Sequence, residues 1–179
     1  MKPVHSVKKV ICLSAVSLIT AATATAFANH EFTPTAGGTG GAPFYDYCST
    51  AGGSFLTGFH LKSGGYVDNI NGICDSNGWL PPHGGSGGPV ETIQSCPSGY
   101  VVFGLTGKAG GYVDQLTTVC VNRSNASQSW TWPGHAGGTG GRAYSISCFP
   151  QDGIFTAAIG LFGRAGGYVD QIGLICDRM

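Results

Sequence analysis

Apolar runs and glycines alternate at short intervals through the second half of the chain. YVVFGLTG (100–107) and IFTAAIGLFG (154–163) are β-branched and aromatic stretches bounded by glycine, which is the composition of strands. Directly after them, VDQLTTVC (113–120) and VDQIGLIC (169–176) alternate apolar with polar positions, as strands with one buried face do. Beyond residue 28 no stretch carries a helical period, so the pattern predicts an all-β domain. One apolar run is of another kind. Val10 to Ala22 is almost wholly apolar or small, comes after Lys2, Lys8 and Lys9, and leads to Ala26-Phe27-Ala28. That order reads as a secretory signal peptide over residues 1–28, cleaved before Asn29. The run is too short and too rich in small residues for a membrane span, so no membrane insertion is expected. The expected product is a single domain, 29–179, exported to the periplasm or the extracellular space.

Within that domain one phrase recurs. SGGYVDN stands at 63–69, AGGYVDQ at 109–115, and AGGYVDQ again at 165–171. A glycine cluster precedes each: GGTGG at 37–41, GGSGG at 84–88, GGTGG at 137–141. An aromatic residue (Phe32, Trp79, Trp132) stands five residues before each cluster, and a cysteine (Cys74, Cys120, Cys176) six residues after each aspartate. The order aromatic, GGxGG, Cys, GGYVD, Cys is kept three times. The domain is therefore a threefold repeat, over about 32–75, 79–121 and 132–177. VNRSNASQSWTWPGH (121–135) is polar apart from its tryptophans and reads as a surface linker between the second and third units. It holds glycosylation sequons at Asn122 and Asn125.

Loss of the signal changes the chemistry that remains. Six basic and nine acidic side chains are left, a mildly acidic chain without a basic stripe, so nucleic acid is not an expected partner. Six cysteines remain, and an even number in an exported chain reads as disulfides. Six cysteines admit many pairings; the repeat favours one bridge per unit, Cys48–Cys74, Cys96–Cys120 and Cys148–Cys176. With all six paired, and with Ala36 in the first unit where His83 and His135 precede the other clusters, no metal is expected. No cofactor is expected either.

Enzymatic readings fail on residues. GGSGGPV (84–90) resembles a serine-protease box, but the box's aspartate is absent and Thr39 or Thr139 replaces Ser86 in the other units. One invariant acid per unit does not make the carboxylate pair of a glycosidase. None of the glycine clusters ends in the GK[ST] of a phosphate-binding loop.

The paired GGxGG and GGYVD motifs, in order and in triplicate, resemble those of the jacalin-related lectins over essentially the whole exported chain. The resemblance implies a β-prism of three four-stranded Greek-key sheets about a pseudo-threefold axis. It also implies a glycan- or glycoprotein-binding protein with mannose-type ligands. In that family a sugar lies between the GxxxD loop of one unit and the GGxGG loop of the next. Carried over, Asp68 would act with Gly88, Asp114 with Gly141, and Asp170 with Gly41 across the ring closure. Gly65-Tyr66, Gly111-Tyr112 and Gly167-Tyr168 would present backbone amides to the sugar. Cysteine-rich units are not typical of the family, so a secreted coat or structural protein of the same fold is the competing reading. A homodimer is left open.

The chemistry of such a site is intelligible from its parts. A neutral sugar offers adjacent hydroxyls, and a carboxylate accepting from two of them forms charge-assisted bonds of about 1.5–3 kcal/mol each. Glycine lets the backbone approach closely enough to use its own amides. Tyrosine can pack a ring on a pyranose and offer its hydroxyl. The recurring cations Lys62, Lys108 and Arg164 read as solvated, and the unit-opening aromatics Phe32, Trp79 and Trp132 as packing residues. A single shallow site near millimolar corresponds to about −4 kcal/mol, and three copies raise avidity on a multivalent glycan by roughly 10²–10⁴.

Overall fold

The computed structural model describes residues 30–149 and 153–179, so the expected signal peptide lies outside the described residues. In chain order the strands are β1 (Glu31–Phe32), β2 (Ala36–Gly37), β3 (Ala42–Tyr47), β4 (Leu56–Ser63) and β5 (Val67–Cys74). Then come β6 (His83–Gly84), β7 (Val90–Ser95), β8 (Tyr100–Ala109), β9 (Val113–Asn122) and β10 (Asn125–Thr131). The last are β11 (Ala136–Gly137), β12 (Arg142–Ser147), β13 (Thr156–Ala165) and β14 (Val169–Arg178).

These strands form three antiparallel sheets of one plan. The first is ordered β6-β5-β4-β7, the second β10-β9-β8-β12 with β11 also on β9, and the third β1-β14-β13-β3 with β2 also on β14. The short strands that share a partner are halves of one interrupted edge. In the first sheet the missing half is a backbone bridge from Trp79 to Ile73. Each sheet thus has the four strand positions of a β-prism. Its central hairpin is written in one sequence repeat and its flanking strands in the next. The third sheet closes the ring, joining the N-terminal β1, β2 and β3 to the C-terminal hairpin β13–β14.

Fully buried side chains repeat in threefold layers. Phe59, Leu105 and Leu161 form one set, Ile70, Leu116 and Ile172 another, and Val67, Val113 and Val169 a third; all are 0% exposed. The flanking strands carry a different contact at one shared register. Gln94, Ile146 and Asp46 stand opposite Phe59, Leu105 and Leu161 respectively. Gln94 reaches across to the second sheet, and Asp46 pairs with His83 of the first, whose ring stacks on Phe44 at 3.9 Å. Three disulfides, Cys48–Cys74, Cys96–Cys120 and Cys148–Cys176, tie each repeat internally.

One sequence expectation needs correction and a second needs refinement. Much of the segment read as a linker (121–135) is strand: β9 runs to Asn122 and β10 pairs back on it. The side chain of Asn122 accepts from the amides of Ser124 and Asn125 and so makes the turn itself. Phe32 and Trp79 pack as expected, on the rings of Phe162 and His60, but only on one side, and remain 50% and 51% exposed. Their strands lie at sheet edges, where one face meets solvent.

Candidate functional site

The GGYVD phrases form the turns of the three central hairpins. In each, the first glycine donates its amide to the tyrosine carbonyl: Gly64 to Tyr66 at 3.0 Å, Gly110 to Tyr112 at 2.9 Å, Gly166 to Tyr168 at 2.9 Å. The strand entering each turn carries a register shift at Lys62/Ser63, Lys108/Ala109 and Arg164/Ala165. A bulge of this kind bends the strand and re-aims the side chains beyond it. The aspartate two residues past each tyrosine then turns inward, and Asp68, Asp114 and Asp170 are only 7%, 6% and 5% exposed.

Each carboxylate lies against the glycine cluster of its own sheet, which belongs to the next repeat in sequence. A Cβ on Gly87, Gly140 or Gly40 would stand 2.8, 2.6 or 2.3 Å from Oδ1 of Asp68, Asp114 or Asp170. One on Gly88, Gly141 or Gly41 would stand 2.9, 2.5 or 2.5 Å from the matching Oδ2. These last three also have φ of +83°, +72° and +63°. Glycine is required there twice over, by the close approach and by the left-handed backbone. The structure therefore brings together the pairs Asp68/Gly88, Asp114/Gly141 and Asp170/Gly41, the last across the ring closure. Gly40, Gly87 and Gly140 were missed in the sequence; their position inside the second GG pair of each cluster was the available signal.

The backbone holds this arrangement in the same way three times. Gly85, Gly138 and Gly38 donate their amides to the main-chain carbonyls of Asp68, Asp114 and Asp170 at 2.9, 2.7 and 2.8 Å. The three carboxylates themselves accept no hydrogen bond from the described residues, and Asp114 Oδ2 is buried without a partner. A buried polar atom left unpaired is costly; Asp114 Oδ2 is in that condition, and all three carboxylates keep acceptor capacity that the described residues do not use. Next to Asp114, the Tyr144 hydroxyl donates to the Gln115 carbonyl at 3.1 Å, and burial pushes its phenol well above the ordinary tyrosine range.

The cations that precede the turns are not all solvated. Arg164 donates through Nε and Nη2 to the carbonyls of Gly40 and Gly41, both at 2.7 Å, and Lys108 donates to the Thr139 carbonyl at 3.1 Å. Both brace the glycine clusters. The three turns also meet one another. Tyr66, Tyr112 and Tyr168 pack mutually, with ring centroids 5.2–5.3 Å apart and planes tilted 60–63°. Their rings thus cluster about the pseudo-threefold axis. The turn-tip glycines Gly65, Gly111 and Gly167 have nothing within 4 Å of a would-be Cβ. Their carbonyls press on Gly138, Gly38 and Gly85 of the adjoining sheet, 2.3–2.5 Å from would-be Cβ positions there. All three carboxylates therefore lie at one end of the prism.

Three sheets of this topology, with one buried acid in each hairpin turn, define the β-prism fold found in the jacalin-related lectins. Solved structures of that group superpose on the chain. Malaysian banana lectin is 22% identical, with a TM-score of 0.63 over 84% of this chain and 100% of its own. Artocarpin, a lectin with mannose specificity, is 18% identical, with a TM-score of 0.62 over 81% of this chain and 96% of its own. The agglutinin of Calystegia sepium is 17% identical, with a TM-score of 0.60 over 84% and 97%. No family model and no curated protein matches the sequence. At these identities the likeness is one of fold.

Proposed function

We propose that the chain is an exported lectin that binds neutral, mannose-type sugars at three sites. The observation that carries this reading is the set of three buried carboxylates, Asp68, Asp114 and Asp170, each against a glycine cluster and none bonded by the described residues. In this reading each aspartate accepts from two adjacent sugar hydroxyls. The amides of Gly65-Tyr66, Gly111-Tyr112 and Gly167-Tyr168, with those of Gly88, Gly141 and Gly41, donate to sugar oxygens. The superposed artocarpin is a mannose-specific lectin solved also with mannopentose, which supports mannose as the first ligand class to test. The basic, apolar and small-residue order of residues 1–28 supports export.

A glycan array with the oxidised protein tests the reading. Binding of mannose-terminated glycans is expected, with loss of signal when Asp68, Asp114 and Asp170 are all replaced by alanine in a chain that remains folded. A wild-type protein that binds no glycan, or a triple variant that binds as well, would overturn the lectin reading and favour the coat protein.

A further inference from the structure

The three carboxylate pockets are alike, but the sheet faces beside them are not. On the outer face of the first sheet a groove of ≈ 460 Å³ is lined by Lys62, His60, Asn69, Asn71, Trp79 and Ser86, among others. It also touches Gly84 and Gly85, the start of the cluster whose Gly87 and Gly88 lie on the Asp68 carboxylate. The groove and the Asp68 pocket thus share one loop as a wall.

The walls of the groove are chemically specific to this sheet. His60 faces Asn71 across the hairpin, where the second sheet has Thr106 facing Thr117 and the third has Phe162 facing Gly173. On the third sheet, Phe162 lies between Phe32 and Tyr45, at 5.1 and 5.9 Å. On the second, Trp132 packs edge-on to Trp130 at 5.7 Å. Trp79 instead leans on the smaller His60 ring, at 5.2 Å, and remains 51% exposed. The carboxamides of Asn69 and Asn71 donate inward to the carbonyls of Gly85 and Leu80, at 3.1 and 3.2 Å, which leaves their oxygens as acceptors. Lys62, unlike Lys108 and Arg164, has no carbonyl to brace among the described residues and remains a donor at the groove.

We infer that this groove is a second saccharide subsite, continuous with the Asp68 pocket, which takes the next residues of a neutral oligosaccharide against Trp79. The inference rests on the lectin reading. An indole face with flanking donors and acceptors suits a pyranose, which has one apolar face and a hydroxyl rim. The Lys62 charge stands at the register of Glu91, whose carboxylate also bonds His60, so the groove has no net cationic character to recruit an acidic sugar. The three sites are then unequal: the Asp68 site reads an oligosaccharide, the others chiefly a terminal sugar.

Calorimetric titration of the oxidised protein with methyl α-mannoside and with α-mannotriose tests this, together with ¹⁹F NMR of protein labelled with 5-fluorotryptophan. The monosaccharide is expected to fill three equivalent sites. The trisaccharide should tighten at one of them by about tenfold, the factor that ~1.4 kcal/mol represents, and should shift the Trp79 resonance but not those of Trp130 and Trp132. Trp79→Ala should remove the gain and leave monosaccharide binding intact, while Trp79→Phe keeps most of it. Monosaccharide binding with equal trisaccharide affinity at all sites, an unmoved Trp79 resonance, or a gain that survives Trp79→Ala overturns the subsite alone. Failure of both sugars to bind overturns the lectin reading and the subsite with it. If Trp79→Ala does not fold, the wild-type Trp79 resonance and Trp79→Phe decide.

Discussion

Gln94 and Thr118 join two sheets through a buried side chain. The Gln94 carboxamide oxygen accepts from both the amide and the hydroxyl of Thr118 at 2.8 Å, and Nε2 donates to the Leu116 carbonyl at 3.1 Å. Gln94 and Thr118 are both 0% exposed. Gln94→Ala leaves a buried amide unpaired and a void beside it. It should lower stability by about 2–4 kcal/mol, read as a fall in the urea midpoint with an unchanged slope.

Asp114 shows the opposite balance. Its Oδ2 is buried and unpaired, so Asp114→Asn, which removes the charge at nearly constant shape, should keep or raise stability by up to about 1 kcal/mol. The same change should remove one of three monosaccharide sites in calorimetry and leave the other two with wild-type affinity. A stability gain with a lost site would place Asp114 among residues kept for binding rather than for folding.

Two glycine substitutions separate architecture from site. A Cβ at Gly111 meets nothing within 4 Å, whereas one at Gly140 would stand 2.6 Å from Asp114 Oδ1. Gly111→Ala should therefore fold with a melting temperature close to wild type and bind less sugar at the Asp114 site. Gly140→Ala should displace the carboxylate or the loop, lowering both thermal stability and binding at that site.

The disulfides close loops of similar length, with sequence separations of 26, 24 and 28. Chain-entropy reasoning assigns about 3.5 kcal/mol to each. Paired Cys→Ala replacements should therefore cost nearly the same whichever unit is chosen. Denaturant titration of the three double variants checks this, and a much larger loss in one unit would point to packing around that bridge.

Tyr144 supplies an alkaline prediction. Burial raises its phenol in the folded state above the unfolded value of about 10. Between those values the native state holds one proton more than the unfolded state. Stability is then complete below about pH 10 and falls as pH rises above it, by up to ~1.4 kcal/mol per unit. Urea unfolding at increasing pH should show the decline, and Tyr144→Phe should remove this part of it.

The sheets and the pairing of motifs could be read from the chain because both are periodic. Three similar spacings between GGxGG and GGYVD (27, 26 and 29 residues from start to start) keep the order of cluster and aspartate the same in every unit. β10 was not legible for a related reason: it occurs once, is mostly polar, and is held by the side chain of Asn122 rather than by an apolar stripe. Gln94 was hidden because its role depends on which residue faces it from another sheet. The exposure of Trp79 and the bracing by Arg164 are likewise consequences of edge position and three-dimensional proximity, which spacing along one strand does not encode.

The ring closure sets an order in time. Asp68 and its cluster lie within residues 56–95, a span that leaves the ribosome well before the chain is finished. The pocket of Asp170 needs Gly40 and Gly41 from the beginning of the domain and the hairpin β13–β14 from its end. That pocket cannot form until β14 has been made and has paired back on β2, so of the three it joins the parts of the chain farthest apart in sequence.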